Sequence, residues 1–174
     1  SRPAPTGALT AALADHLAGV TGRVLVGEAA DGSLLREVAA TGADAYGIEP
    51  RIELADSLAL AGLDVRSDEV AAHLDDVDDD VLGGLVLAGV VDRVPLGAQV
   101  ALVARAAAVL APGGRLAVVA SSPATWGTAN PVEADLAPGR PLHPETWAHL
   151  LTEHGFSDVQ VTGGEPVALV TAVR

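Results

Sequence analysis

Five acidic residues stand just beyond apolar runs, where a chain leaves the core and meets solvent. Glu28 follows "RVLVG", Glu49 follows "AYGI", Asp68 and Glu69 follow "LDVRS", and Asp92 follows "LVLAGVV". A carboxylate so placed can accept from both hydroxyls of a diol, or pair with an ammonium group. His143, in "RPLHPE", carries an imidazole, a group that can take a proton as a general base. Asp92 and Arg93 form an adjacent polar pair, and Arg140 could clamp a phosphate or carboxylate bidentately. Trp126 offers an indole face on which a sugar can stack. Each residue also has a structural reading: an exposed loop Glu, a helix N-cap Asp, a surface His or a solvent-facing Arg.

The stretch "RVLVGEAADGSLL", residues 23–35, has the form of the first strand and loop of a nucleotide-binding fold. Where glycines would let a ligand approach the backbone it carries Glu28, Ala29 and Ala30. A Cβ at Ala30 is tolerable only if the loop avoids positive φ there.

The elements that must position these groups alternate. "GALTAALADHLAG" places Leu9, Leu13 and Leu17 on one helical face. Strands are expected at 22–28, 44–50, 63–67, 81–91 and 115–122. Helices are expected at 31–42, 51–62, 68–74 and 96–113, the last ending at Pro112-Gly113. Residues 123–144 read as a long Pro/Gly/Asn-rich loop, and 144–155 as a helix with Pro144 in its first turn. Two further strands, 158–164 and 166–174, close the chain as an antiparallel hairpin. Continuous apolar strands alternating with helices predict a doubly wound, mostly parallel seven-stranded α/β sheet covered on both faces. Residues 1–6 are expected to be a flexible lead and 7–174 a single domain.

Composition narrows the function classes. Of the 174 residues, 49% are hydrophobic, with only two Trp, one Tyr and one Phe, so the core must be aliphatic. Cys is absent, which excludes disulfides, thiolate metal sites and Cys nucleophiles. The formal charge of −13 argues against nucleic acid and against an anionic membrane surface. His149 and His154 are five apart, off the helical i, i+4 pairing, so no metal site is expected. The "DDVDDD" run reads as a solvated loop, since it lacks the ligand spacing and turn Gly of a calcium loop. No apolar run is long enough for a transmembrane helix and no signal-peptide layout occurs, so a cytoplasmic location is expected.

Four motifs together carry a family resemblance. "GIEP", "VVDRVP", "LAPGGRLAVVA" and "LLTEHGFSDVQV" resemble the second-strand, post-strand-four, pre-strand-five and strand-six motifs of the class I S-adenosylmethionine (SAM)-dependent methyltransferases. The resemblance runs from about residue 8 to the end. "SSPATWGTANPVEADLAPGRPLHPETW" is also similar to a loop in methyltransferases of surface-polysaccharide and glycosyl-transfer systems, and would imply a saccharide or phosphorylated saccharide acceptor.

The resemblance implies SAM as cofactor at the carboxyl ends of the strands. Glu49, followed by Pro50, stands where the family holds the ribose hydroxyls. Asp68 stands where an Asp commonly meets the adenine amino group, with the Glu69 N–H beside the ring. Gly27, Glu28, Ala29, Gly32 and Gly89 fall where the methionine part approaches the backbone. Against the family's strand-one pattern, Val26 replaces the acidic residue, while Glu28 and Ala30 replace the first two motif glycines and Gly32 keeps the third. Glu28 would either meet the cofactor's carboxylate as a like charge or bind its ammonium in place of the lost acid. On the acceptor side the resemblance implies Trp126, Asn130 and Arg140 for binding, and His143 and Asp92 as catalytic candidates.

The expected function is SAM-dependent methyl transfer, on an oxygen of a small molecule or glycan. The alternative is a catalytically silent methyltransferase-like domain that serves as binding or dimerisation partner of another enzyme. An NAD(P) reading fails for want of "GxGxxG", and an esterase reading for want of "GxSxG". The expected partners are a small-molecule or saccharide acceptor and either a second copy or a partner subunit, with neither nucleic acid nor membrane insertion.

Overall fold

The computed structural model describes residues 7–95, 97–124, 126 and 131–174; the side chain of Glu133 is not described. The lead at 1–6 and Asn130 lie outside the described residues.

The apolar runs form strands β1 (Arg23–Gly27), β2 (Asp44–Ile48), β3 (Val65–Arg66), β4 (Leu82–Ala88), β5 (Leu110–Ser121), β6 (Ser157–Gly163) and β7 (Val167–Val173). They make one seven-stranded sheet in the order β3-β2-β1-β4-β5-β7-β6. The first five strands are parallel, while β7 runs antiparallel between β5 and β6. The expected doubly wound sheet with its C-terminal hairpin is therefore the fold.

Alternation along the strands divides the core in two. Leu25, Tyr46, Leu85 and Leu87 face α4 (Val70–Asp76), α5 (Ala98–Val109) and α7 (Pro144–Glu153), with the fully buried Trp147 among them. Val24, Val26 and Val86 face α1 (Gly7–Leu17) and α2 (Ser33–Ala40), on the side where Leu9, Leu13 and Leu17 are buried as their spacing predicts. Helix α3 (Ile52–Leu60) buries Ala55 and Leu58 beside β3.

Two local expectations change. Helix α5 stops at Val109, and "LAPGG" is already strand: Leu82 pairs with Leu110 and Gly84 with Arg115, so the Pro-Gly-Gly segment bulges out of β5. The chain end fastens the bulge, since the Gly113 N–H donates to the Arg174 carbonyl and the Arg174 N–H to that of Gly114, both at 2.9 Å. Pro112 brings no N–H to a ladder and Gly113 takes φ 76°, which together favour a bulge over a clean turn. Within 123–144, expected as loop throughout, residues 131–136 form a helix, α6 (Pro131–Leu136), opened by its Pro.

Candidate functional site

The loop after β1 keeps a glycine backbone without the glycines. Glu28 has φ 56°, Ala30 φ 49° and Gly32 φ 80°, all left-handed. Ala30 therefore does not meet the condition under which its Cβ would be free of strain. A left-handed L-residue costs roughly 1–2 kcal/mol, so something must hold it. The hold comes from β2: the Ala29 N–H donates to the Ile48 carbonyl at 2.8 Å, and the Ala30 N–H to Glu49 Oε2 at 2.9 Å. Gly32 has no freedom to change, since a Cβ there would lie 2.8 Å from both Leu58 and Leu63. Asp31 fastens the start of α2 by accepting from Ser33 N–H at 3.0 Å and Ser33 Oγ–H at 2.7 Å, and these bonds lower its pKa. Ala29 is buried against the sheet, where a Cβ on Gly47 would sit 3.0 Å from its own. Its backbone, not its methyl group, belongs to the loop.

Glu49 emerges at the end of β2, yet only 1% of it is exposed. Oε1 accepts from the Arg51 N–H at 3.1 Å and from Arg51 Nε–H at 2.6 Å, while Oε2 takes the Ala30 N–H. A carboxylate offers about four lone-pair sites, so three are in use. A ribose diol needs two, and the Arg51 side chain would have to release one. Pro50, half-buried, separates the pair in sequence.

Across the strand ends, Glu28 is nearly buried and ion-paired with Arg93, which also reaches the Gly89 carbonyl at 3.4 Å. Gly89, at φ 74°, turns β4 into the short 3-10 segment Val90–Asp92. Asp92 is 1% exposed, and its carboxylate accepts from the Ser121 N–H at 2.9 Å and the Ser121 Oγ–H at 2.6 Å. This ties the end of β4 to the end of β5. Ser122 continues the tie by donating to Glu165 at 2.6 Å.

Beyond β3, the N-cap of α4 is Glu69, which has no side-chain cap bond, so Asp68 is not spent on capping. Asp68 Oδ1 accepts from the Glu69 N–H at 2.8 Å, and Oδ2 lies 3.7 Å from His73 Nδ1. Between α4 and the 90–102 segment lies a slot of about 370 Å³, walled by Glu28, Glu69, Val90, Arg93, Ala98 and Leu102. Gly27, at the mouth of β1, fits closely under α4: a Cβ there would meet Val70 at 3.1 Å.

The acceptor-side residues are scattered. Trp126 is half-buried, with its N–H donated to the Ser122 carbonyl at 3.1 Å, while Arg140 and His143 are exposed. His143 is the N-cap of α7, its Nδ1 accepting from the Glu145 N–H at 3.3 Å. Pro95 and Gly139 form a backbone bridge that closes the two loops on each other, and Gln99 braces it through the Val94 carbonyl and the Gly97 N–H.

Sequence reasoning missed Arg51, Ser121, Glu165 and the buried pair Tyr46–His73. His73 had a readable signal: it lies at i+3 from Val70 and beside Leu74, on the apolar face of α4. Among the described residues, no three metal-ligating side chains cluster, and no helix is long and apolar enough to cross a membrane.

No family model and no curated protein matches the chain. Solved structures do. A SAM-dependent methyltransferase from Archaeoglobus fulgidus superposes with a TM-score of 0.81 at 15% identity, over 96% of this chain and 92% of that one. An O-methyltransferase family protein from Burkholderia thailandensis gives 0.63 at 17%, over 95% and 56%. Human N-acetylserotonin methyltransferase, solved with SAM, gives 0.69 at 17%, over 89% and 48%. The chain thus spans nearly all of the first and about half of the other two. Its strand order, its hairpin and these superpositions identify the fold as that of the class I SAM-dependent methyltransferases.

Proposed function

We propose that the chain binds SAM at the carboxyl ends of β1, β2 and β4, and catalyses methyl transfer to a hydroxyl oxygen of a small molecule or saccharide. The observation that carries this reading is the loop after β1. Three alternate positions, 28, 30 and 32, are left-handed although only the last is glycine, and the loop is bound to the β2 carboxylate that would take a ribose. A strained backbone retained against its own side chains is what a site needing that backbone would keep.

The residues present fit the cofactor. Glu49 suits the ribose diol once Arg51 yields a lone pair, and Asp68 suits the purine amino group, while the Glu69 N–H would have to leave Asp68 Oδ1 to meet the ring. Glu28 and Arg93 offer opposite charges to an α-amino acid, the first to its ammonium and the second to its carboxylate. Glu28 thereby serves in place of the acid missing at Val26. Gly27 and Gly89 supply the close backbone approach.

The bound sulfonium supplies an already activated methyl group, so the protein's task is in-line positioning and removal of one proton. Asp92 holds the ends of β4 and β5 in register through Ser121. His143 Nε2 is the candidate acceptor for the hydroxyl proton, its Nδ1 being fixed by the helix cap. Trp126 and the exposed Arg140 are the candidates for acceptor binding, Arg140 for an anionic group on a saccharide, and Asn130, outside the described residues, is a candidate from its sequence alone.

The second reading, a silent methyltransferase-like domain, is favoured by one feature: both acidic groups facing the cofactor are already paired with arginines. Titration calorimetry with SAM and S-adenosylhomocysteine decides between the two. Micromolar binding that Glu49→Gln weakens at least tenfold supports the cofactor site. A folded protein that binds neither ligand at millimolar concentration leaves the silent reading, and a search for its partner protein.

A further inference from the structure

A buried relay stands behind Asp68. His73 is 8% exposed and Tyr46 3%. Their rings meet edge to face, with centroids 5.7 Å apart at 72°. The Tyr46 hydroxyl lies 3.2 Å from His73 Nε2, and His73 Nδ1 lies 3.7 Å from Asp68 Oδ2. Tyr46 is itself clamped: the Arg23 guanidinium sits 4.3 Å over its ring and that of Arg66 4.8 Å. One tautomer serves both contacts. A carboxylate can only accept, so the tautomer with the proton on Nδ1 turns it toward Asp68 across 3.7 Å, a polar approach longer than a hydrogen bond, and leaves Nε2 to accept from the phenol O–H. Burial, and after it the charge of Arg66, lower the His73 pKa, so the neutral ring this tautomer requires is the one favoured. A neutral donor orients Asp68 without cancelling its charge.

From this geometry we infer that Tyr46 and His73 are positioning residues that hold Asp68 as the acceptor for the exocyclic amino group of the cofactor's purine, and so set the selectivity for adenine. The inference rests on the cofactor reading above. Asp68 lies on a loop and is partly exposed, and its Oδ1 is held by the adjoining Glu69 N–H at 2.8 Å, which leaves Oδ2 as the oxygen that His73 steadies. Tyr46 comes from β2 and His73 from α4, and both are rigid elements. The polar face turned to His73 consists of Tyr46, Asp68, Arg66 and Asp76, of which the two carboxylates partly offset the effect of burial.

The test is a pair of affinities, for S-adenosylhomocysteine and for S-inosylhomocysteine, which carries an oxygen in place of the amino group. Wild-type protein is expected to prefer the adenosyl compound by about tenfold, the effect of one hydrogen bond to a charged acceptor. His73→Phe and Tyr46→Phe should cut the preference to about threefold or less by weakening only the adenosyl ligand. His73→Asn, whose amide N–H can replace Nδ1–H, should retain it. An unchanged preference in both Phe variants overturns the inference, as does equal loss of both ligands or a wild-type protein indifferent to the base. If His73→Phe does not fold, Tyr46→Phe decides alone. Wild-type protein that binds neither compound overturns the cofactor reading and this inference with it, whereas an unchanged preference overturns this inference only.

Discussion

The Arg93 guanidinium closes on the Glu28 carboxylate across the ends of β1 and β4, joining residues 65 positions apart in the chain. The pair is unequal in exposure, at 44% for the Arg93 side chain and 11% for that of Glu28. Arg93 is the cation in direct contact with Glu28, and Arg51 acts on the same carboxylate through space. If an α-ammonium takes the place of Arg93, Glu28→Gln should weaken S-adenosylhomocysteine about tenfold, the usual range for a bond to a charged group. Methylthioadenosine, which lacks the amino acid, should bind the variant as it binds wild type. Calorimetry on both ligands checks this. A gain in affinity for the full ligand would mean that Glu28 obstructs the site.

Ala30 offers a test of stored strain. At φ 49° it sits where an L-residue loses roughly 1–2 kcal/mol, and glycine would relieve that at some cost in unfolded-chain entropy. Ala30→Gly is expected to change stability by no more than about 1 kcal/mol, in the stabilising direction. Ala30→Val puts a β-branched residue at the same dihedrals and should cost about 2 kcal/mol or more. Urea midpoints at constant m-value separate the two. A stable Val variant would mean that the loop is not left-handed in solution.

The sheet was legible because it rests on local patterns. Leu9, Leu13 and Leu17 announce a helix by spacing, and the uninterrupted runs around Val24–Val26 and Leu82–Ala88 announce strands buried on both faces. The site was legible only as positions. Glu49, Asp68 and Glu28 could be placed at strand ends, but not their partners. Arg93 reaches Glu28 from the turn after β4, and His73 reaches Tyr46 across two elements. The conformation of Ala30 stayed open in the sequence because alanine's own preference opposes φ 49°, and only the bonds from β2 decide it. Asp92 reads in sequence as a polar group facing an acceptor, whereas in the fold Ser121 takes both its oxygens. The bulge at Pro112–Gly114 was hidden because a Pro-Gly-Gly turn and a Pro-Gly-Gly bulge are spelled alike.

Gly139 carries the contact between the two acceptor-side loops. A Cβ there would lie 1.9 Å from the Val94 carbonyl oxygen, so Gly139→Ala must push the loops apart. Overpacking of this kind costs about 1–3 kcal/mol. The separation should free the segment that holds Arg93, and trypsin cleavage after Arg93 should accelerate severalfold relative to wild type. S-adenosylhomocysteine, whose carboxylate Arg93 would take, should bind the variant more weakly, whereas methylthioadenosine, which lacks that carboxylate, should bind within about threefold of wild type. Unchanged proteolysis would show that the Pro95–Gly139 bridge does not hold the loop.

Two histidines, His73 buried and His16 half-buried, make stability depend on pH in one direction. His73 and His16 both have pKa values lowered from 6.5, first by burial. Arg66 adds to this at His73. At His16, Arg115 adds to it, while the Leu116 carbonyl, 3.0 Å from Nε2, opposes it. The unfolded chain takes up protons at these rings below about pH 6.5 that the folded chain refuses. Stability from these groups is thus fully present above that pH and is lost as pH falls through the folded-state values, by at most about 1.4 kcal/mol per unit for each ring. The lowered Asp31 pKa acts in the same direction but only around and below its ordinary 3.8, outside the histidine window. Urea midpoints between pH 8 and pH 5 should therefore fall for wild type, and fall less steeply for His73→Asn, which keeps a donor facing Asp68 but cannot titrate. Parallel slopes for the two proteins would mean that His73 titrates alike folded and unfolded, and that its burial is not maintained in solution.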